Sequence, residues 1–238
     1  MLLELKGISV AFGGLVAVSD VTFSMAEGEV LGLVGPNGAG KTTLFNAISG
    51  LARPSQGRAR LLGRDLIAMP IHVRARAGIG RAFQVPQPLH ELTVRENLMV
   101  AQRFGTGRMD RQRIDEILDL LKLGHKAESD AATSLALTEQ KALEVAKALA
   151  TDPKLLMLDE VLAGLETAGK RAFMLTLDEV RKRFGLALLI IEHDIETITR
   201  LCPRVVVLNF GRLIAEGSPE QVFNDPEVIR SYTGGEAA

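Results

Sequence analysis

The sequence predicts an α/β fold with a mainly parallel sheet, an antiparallel β flank and an inserted helical subdomain. Three observations carry that reading. Four short runs of branched apolar residues occur, VLGLVG (30–35), LLMLD (155–159), LALLII (186–191) and RVVVLN (204–209). Helical patterns separate most of them, which is the signature of alternating strands and helices. From Pro86 to about Ala150, by contrast, the chain is helical in pattern and holds no convincing strand.

In chain order, LLELKGISV and VTFSM are short apolar runs that suit an antiparallel flank, and VLGLVG is the first buried strand, followed by the helical LFNAISG. RAFQVP closes a short strand-like run. The helices TVRENLMVAQRF, RQRIDEILDLLKL and KALEVAKALA then precede LLMLD, and LALLII, RVVVLN and the flank-like GRLIAEG follow. Ser218 before PEQ and Asp225 before PEV each pair a capping residue with proline at the first helical position. The expected organisation is a discontinuous α/β core over residues 1–85 and 150–216, a helical subdomain over 86–149 and a helical tail over 217–238.

A chain of 238 residues with 47% hydrophobic content can bury a substantial core. Its 28 basic and 29 acidic residues leave a formal charge of −1 and no long basic tail, so the simplest electrostatic argument for nucleic-acid binding is gone. Cys202 is the single cysteine, which excludes an intrachain disulfide and suits a reducing compartment. His72, His90, His125 and His193 are scattered, so no protein-held transition metal is expected. MLLELKGISV lacks the charged leader and long apolar segment of a signal peptide, and LALLII is far short of the roughly 20 apolar residues of a membrane helix. An intracellular protein with at most a peripheral membrane role is the expectation.

GPNGAGKT, from Gly35 to Thr42, fits G-x-x-x-x-G-K-[ST] between a strand and a helix. In Gly35, Asn37, Gly38, Ala39 and Gly40 such a loop turns backbone N–H groups towards phosphate oxygens. Lys41 supplies a point charge for β and γ phosphates, the Thr42 hydroxyl can bind Mg²⁺, and Thr43 can donate to the α phosphate.

LLMLDE delivers Asp159 and Glu160 to the end of a buried strand, where ligands gather in open α/β sheets. Asp159 is the candidate to hold Mg²⁺ through water, and Glu160 to polarise the attacking water. A pair of solvated carboxylates is the alternative. His193, after the apolar run in IIEHD, is either a satisfied strand-end histidine or a γ-phosphate sensor, with Asp194 beside it. Gln84 carries an amide that can reach Mg²⁺ or the attacking water. Phe12 in AFGGLVAV either packs in the core or offers a stacking face to adenine worth about 1–3 kcal/mol.

Taken together, Phe12, GPNGAGKTT, Gln84, residues 135–140, LLMLDE, AGLE and IIEHD have the order and spacing of an ABC-type ATP-binding subunit, a resemblance spanning essentially the whole chain. FGGLVAV, GIGRAFQ, ELTVRENLMVA, ALATDPKLLMLDE, IIEHD and VVVLNFGRLIAEGSPEQVFNDPEVIRSY look like the subunit of branched-chain amino-acid importers that carries the FQ and EHD motifs. The lipopolysaccharide-export ATPase is the nearest other look-alike. The resemblance implies a P-loop, RecA-like core and a head-to-tail dimer with a second ABC ATPase subunit. It also implies two transmembrane permease subunits docked near Gln84 to Leu92, an external solute-binding protein, and a peripheral place on the cytoplasmic face of the inner membrane. In the D-loop position stand Ala163, Gly164, Leu165 and Glu166, with glutamate where the family usually has aspartate or asparagine.

The family signature LSGGQ aligns here with LALTE, placing Ala136, Leu137, Thr138 and Glu139 towards the partner's nucleotide, without the serine or either glycine. Losing a hydroxyl that bonds a charged phosphate costs about 1.5–3 kcal/mol. A left-handed backbone at Leu137, if glycine-like torsions are needed there, adds about 1–2 kcal/mol. The local alternative is a stable helix start, with Thr138 as cap and Glu139 in the first turn. An asymmetric pair follows from the first reading, in which the nucleotide on this chain's own loop is hydrolysed and the one facing LALTEQ turns over slowly. Two other classes stand beside it: a nucleotide-binding regulatory or structural subunit with weak hydrolysis, and an ABC protein acting on nucleic acid or ribosomes. Intact Lys41, Asp159, Glu160 and His193 argue against the first. The chain has no room for the second cassette or long coiled coils usual in the other.

Overall fold

The computed structural model describes residues 1–233. The chain opens with strands β1 (Leu3–Phe12), β2 (Leu15–Met25) and β3 (Val30–Val34), then helix α1 (Lys41–Ser49), β4 (Gln56–Leu61), β5 (Arg64–Asp65), α2 (Ile71–Arg76) and β6 (Ile79–Ala82). Helices α3 (Val94–Thr106), α4 (Arg111–Leu120) and α5 (Leu137–Ala150) follow, with a 3₁₀ turn at Gly124–Lys126. Next come β7 (Leu155–Asp159), α6 (Thr167–Phe184), β8 (Ala187–Ile191), α7 (Ile195–Leu201), β9 (Arg204–Asn209) and β10 (Arg212–Gly217). Helices α8 (Pro219–Phe223) and α9 (Pro226–Thr233) close the described chain.

Two compact units share these elements, one formed by Met1–Arg74 with the chain from Leu188 onward, the other by Ala75–Ala187. In the first unit, β3 lies between β8 and β9 and pairs parallel with both, while β10 pairs antiparallel with β9. Every residue of β3 and β8 is buried, which is why VLGLV and ALLII are unbroken apolar runs: a parallel strand covered on both faces has no polar side. The flank is a four-stranded sheet in the order β2-β1-β4-β5 with antiparallel pairing throughout. There Leu3, Leu5, Ile8 and Val10 are buried while Lys6, Ala11 and Phe12 are exposed, because an antiparallel sheet packs one face only.

In the second unit β6 and β7 pair parallel, Ile79 opposite Leu155 through Ala82 opposite Leu158. Helix α3 is held at its start by a capping box: Thr93 N donates to Glu96 Oε2 at 2.8 Å and Glu96 N to Thr93 Oγ1 at 3.1 Å. Asp110 caps α4 through Arg113 N at 3.0 Å. Helix α6 buries Phe173, Thr176, Leu177 and Val180, spacings that line one helical face. In the tail, Ser218 accepts from Gln221 N and precedes Pro219, while Asp225 accepts from Glu227 N ahead of α9.

Candidate functional site

In the first unit the loop between β3 and α1 is shaped by two glycines. Gly35 has φ +143°, and a Cβ there would stand 2.0 Å from Leu208 O. Gly40, the N-cap of α1, has φ +99°, and a Cβ there would stand 2.5 Å from Ala17 O. Neither position admits a side chain, so the backbone lies directly against β2 and β9. Gly211 N donates to Ala39 O at 3.0 Å and Ser19 N to Gly211 O at 2.8 Å, bracing the loop through the β9–β10 turn. Asn37, Gly38 and Thr42 are exposed, Thr43 is half-buried and Ala39 is buried.

No side chain caps α1, and its first turn holds no acidic residue. An α-helix start of that kind leaves backbone donors and the positive end of the helix dipole available to an anion. Lys41 is buried, and its ammonium donates to Gly35 O at 2.7 Å and Pro36 O at 2.9 Å. The charge is therefore already folded over the loop rather than loose in solvent.

Burial pushes the Tyr232 phenol up from its usual range, while a hydrogen bond with the Gly35 backbone pulls the other way. This tail residue meets the loop across nearly the full length of the sequence, and no local signal announced it.

Phe12 ends β1 and is 55% exposed, so it is not a core residue; Leu15 and Val16 beside it are exposed as well. His193 is exposed just beyond β8. Asp194 is the N-cap of α7, accepting from Glu196 N at 3.1 Å and from Thr197 Oγ1 at 2.8 Å.

In the second unit β7 ends at Asp159, and Glu160 follows with φ +50°, a left-handed conformation uncommon outside glycine. Such backbone persists where surrounding contacts enforce it, and it is concentrated at functional positions. The two carboxylates have different partners. Arg81 of β6 pairs with Asp159 Oδ2 at 2.5 Å, both side chains being buried. Gln84 Nε2 donates to Glu160 Oε2 at 2.5 Å. Asp159 is thus buried and ion-paired, while Glu160 is half-buried and held by an exposed hydrogen bond from Gln84, just beyond β6. Arg81 was not singled out from the sequence.

The segment after Gln84 is held by α5. Lys141 donates to Gln84 O, Glu144 Oε1 accepts from Gln87 N at 2.7 Å, and Lys147 donates to Gln87 O at 2.5 Å.

At the start of α5 the local expectation is corrected. Ala136, extended at φ −66° and ψ 162°, is the N-cap, and the helix begins at Leu137. Thr138 therefore sits inside the first turn and is not the cap. Glu139 serves instead: its Oε2 accepts from Ala136 N at 2.9 Å, and its Oε1 is 3.1 Å from His125 Nε2. Because Leu137 is helical and absent from the positive-φ positions, the strain considered for it does not arise. Ala136, Leu137 and Thr138 are exposed, and a Cβ on Gly164 would lie 3.5 Å from Leu137 Cδ2. Glu166 is the N-cap of α6, with no side-chain cap bond.

A family model described as "ABC transporter" matches residues 18–163, and one described as "Branched-chain amino acid ATP-binding cassette transporter" matches residues 212–238. The high-affinity branched-chain amino acid transport ATP-binding protein LivG of Salmonella typhimurium is 37% identical over 249 residues, 98% of each chain. The lipopolysaccharide export system ATP-binding protein LptB of Haemophilus influenzae is 35% identical over 236 residues, 98% of this chain and 97% of that one. Among solved structures, an ATP-binding cassette of an ABC transporter in its ADP conformation superposes with a TM-score of 0.89 at 30% identity, covering 98% of this chain and 99% of that one.

Proposed function

The chain belongs to the ABC transporter family, and on that premise we propose that it is the ATP-hydrolysing subunit of an importer for branched-chain amino acids or a related small polar solute. Membership makes it an ATPase. The observation that carries the reading is the loop at the start of α1, where two glycine positions exclude any side chain and a buried lysine lies over the backbone. The match of residues 212–238 to the branched-chain amino acid family supports the solute class.

In the proposed reaction the phosphates of ATP lie on the backbone N–H groups of Gly38 to Thr43, and Lys41 turns from the Gly35 and Pro36 carbonyls to the β and γ oxygens. Phe12 stacks on adenine. A water oxygen bonds to the γ phosphorus as the bond from that phosphorus to the bridging oxygen breaks. Glu160 accepts a proton from the water, ADP leaves with the bridging oxygen, and inorganic phosphate is the second product. Gln84 orients the water and His193 the γ phosphate. The Thr42 hydroxyl, the Asp159 carboxylate and the Gln84 amide oxygen are hard donors that suit Mg²⁺. When bound, that ion neutralises charge on the β and γ phosphates.

The proposed assembly is a head-to-tail dimer with a second ABC ATPase subunit, two permease subunits and an external solute-binding protein, with this chain peripheral on the cytoplasmic membrane face. No helix among the described residues is long and apolar enough to cross a membrane. Ala136, Leu137, Thr138 and Glu139 face the partner's nucleotide in this arrangement. A carboxylate already bonded at that helix start supports slow turnover there and faster turnover on Lys41's own loop.

Affinity purification from native membranes tests the reading: an importer yields two permeases and a second ATPase. Recovery of lipopolysaccharide-export components instead favours the second reading, which the 35% identity to LptB supports. Glu160→Gln separates hydrolysis from a merely regulatory nucleotide binder, since it should lower single-turnover rate by about a hundredfold or more with ATP still bound. Equal losses from this change and its equivalent in the partner would remove the asymmetry.

A further inference from the structure

We propose that Lys141 is a positioning residue for ATP hydrolysis, tying helix α5 to Glu160 through Gln84. The inference rests on the reading of Glu160 as the group that accepts the water proton, and it names a residue outside every motif considered above.

Lys141 is 4% exposed, yet it carries an ammonium group and donates to the main-chain carbonyl of Gln84. The same Gln84 donates its side-chain amide to Glu160 Oε2 at 2.5 Å. Lys141 therefore fixes the backbone from which the Glu160-holding amide projects. It does not act alone. Lys141, Glu144 and Lys147 recur every third residue on one side of α5, and each grips the main chain of residue 84 or 87. Glu144 is 2% exposed, and Lys147 Nζ lies 2.6 Å from Glu144 Oε1. Burying a charged side chain is costly unless it is paired or hydrogen-bonded, and Lys141 and Glu144, the two buried members, offset that cost through these contacts.

The physical consequence is a short mechanical chain within one unit of the fold. Because the grip falls on backbone atoms, any shift of α5 carries the Gln84 main chain with it, and the amide follows. Glu160 has a left-handed backbone at φ +50°, and its Oε2 accepts the Gln84 amide. A misplacement on the order of 1 Å at a reacting group costs about a hundredfold in rate. Lys141 need never touch nucleotide to control that placement.

The experiment is single-turnover ATP hydrolysis and fluorescent-nucleotide binding on the transporter assembled with its second ATPase subunit, this chain carrying Lys141→Met or Lys141→Arg. Lys141→Met keeps the apolar stem and removes the donor; it should lower the single-turnover rate about tenfold to a hundredfold with nucleotide affinity unchanged. Lys141→Arg, which can still donate to the Gln84 carbonyl, should recover most of the rate. In a Gln84→Ala background, Lys141→Met should have little further effect, because the path it acts through is gone. A wild-type rate in Lys141→Met, a parallel loss of nucleotide affinity, or full additivity with Gln84→Ala each overturns the proposal. Where Lys141→Met does not fold, Lys141→Gln keeps a polar side chain but is too short to replace the ammonium at the Gln84 carbonyl, and an unchanged single-turnover rate there is equally fatal. A wild-type assembly with its second ATPase subunit that binds ATP without hydrolysing it defeats the functional reading first; wild-type hydrolysis with an unaffected lysine variant defeats this inference alone.

Discussion

Helices α1 and α5 begin in opposite ways. Helix α1 starts from Gly40 with no side-chain cap and no acid in its first turn, so its dipole and backbone donors remain directed at whatever anion arrives. Helix α5 starts from Ala136, and the carboxylate of Glu139 bonds the Ala136 N–H while pairing with His125. Thr43 and Glu139 hold equivalent places, each the third residue of its helix. One residue at that position separates an uncapped helix start from a self-satisfied one. A helix start is an anion site only while the chain does not supply the anion itself.

The largest effect should come from making α1 resemble α5. Thr43→Glu sets a carboxylate where the phosphates would lie, and ATP affinity should fall about a hundredfold to a thousandfold, since each hydrogen bond to a charged group is worth about 1.5–3 kcal/mol. Isothermal titration reads it directly; retained affinity would show that the start of α1 does not hold the nucleotide. Removing the charge folded over the same loop comes next. Lys41→Met should weaken binding about tenfold to a hundredfold, whereas a change confined to melting temperature would make Lys41 only a brace for Gly35 and Pro36.

The converse swap is smaller. Glu139→Thr bares the start of α5, and in the assembled transporter turnover should rise about twofold to fivefold, matching a dipole effect of about 0.3–1 kcal/mol. A further fall in turnover would mean that the carboxylate assists rather than obstructs. The smallest functional effect belongs to α3, whose Thr93–Glu96 box is remote from this question. Thr93→Ala should cost about 1 kcal/mol of stability in urea unfolding and leave ATP affinity unchanged. A changed affinity would show that helix capping in this chain acts on binding through stability, and would spoil the swap experiments as evidence about charge.

The legible parts of the sequence are those whose chemistry is local. GPNGAGKT could be read as a candidate phosphate loop because its glycines, lysine and threonine act within eight residues. The runs at 30–35, 155–159, 186–191 and 204–209 became β3, β7, β8 and β9 because strands buried on both faces must be apolar throughout. Ser218 and Asp225 marked α8 and α9 because a cap needs only the next turn of backbone. The same local logic failed at Thr138, where two capping chemistries competed and the reach of Glu139 back to Ala136 prevailed.

Strand β4, QGRARL, has no branched apolar run and exists as a strand because β1 offers it a ladder from Leu3–Leu61 to Ser9–Gln56. Arg81 met Asp159, and Lys141 met Gln84, across separations of 78 and 57 residues. Nothing near either residue announces such a partner.

By itself, then, the sequence determined the glycine-rich turn between β3 and α1, the buried strands and most helix ends, since each depends on covalent neighbours and on burial. Only the tertiary structure decided which charged side chain holds which carboxylate, and that the backbone of Glu160 is left-handed. A buried charge takes the partner that folding brings within hydrogen-bond range, and chain order does not encode that distance.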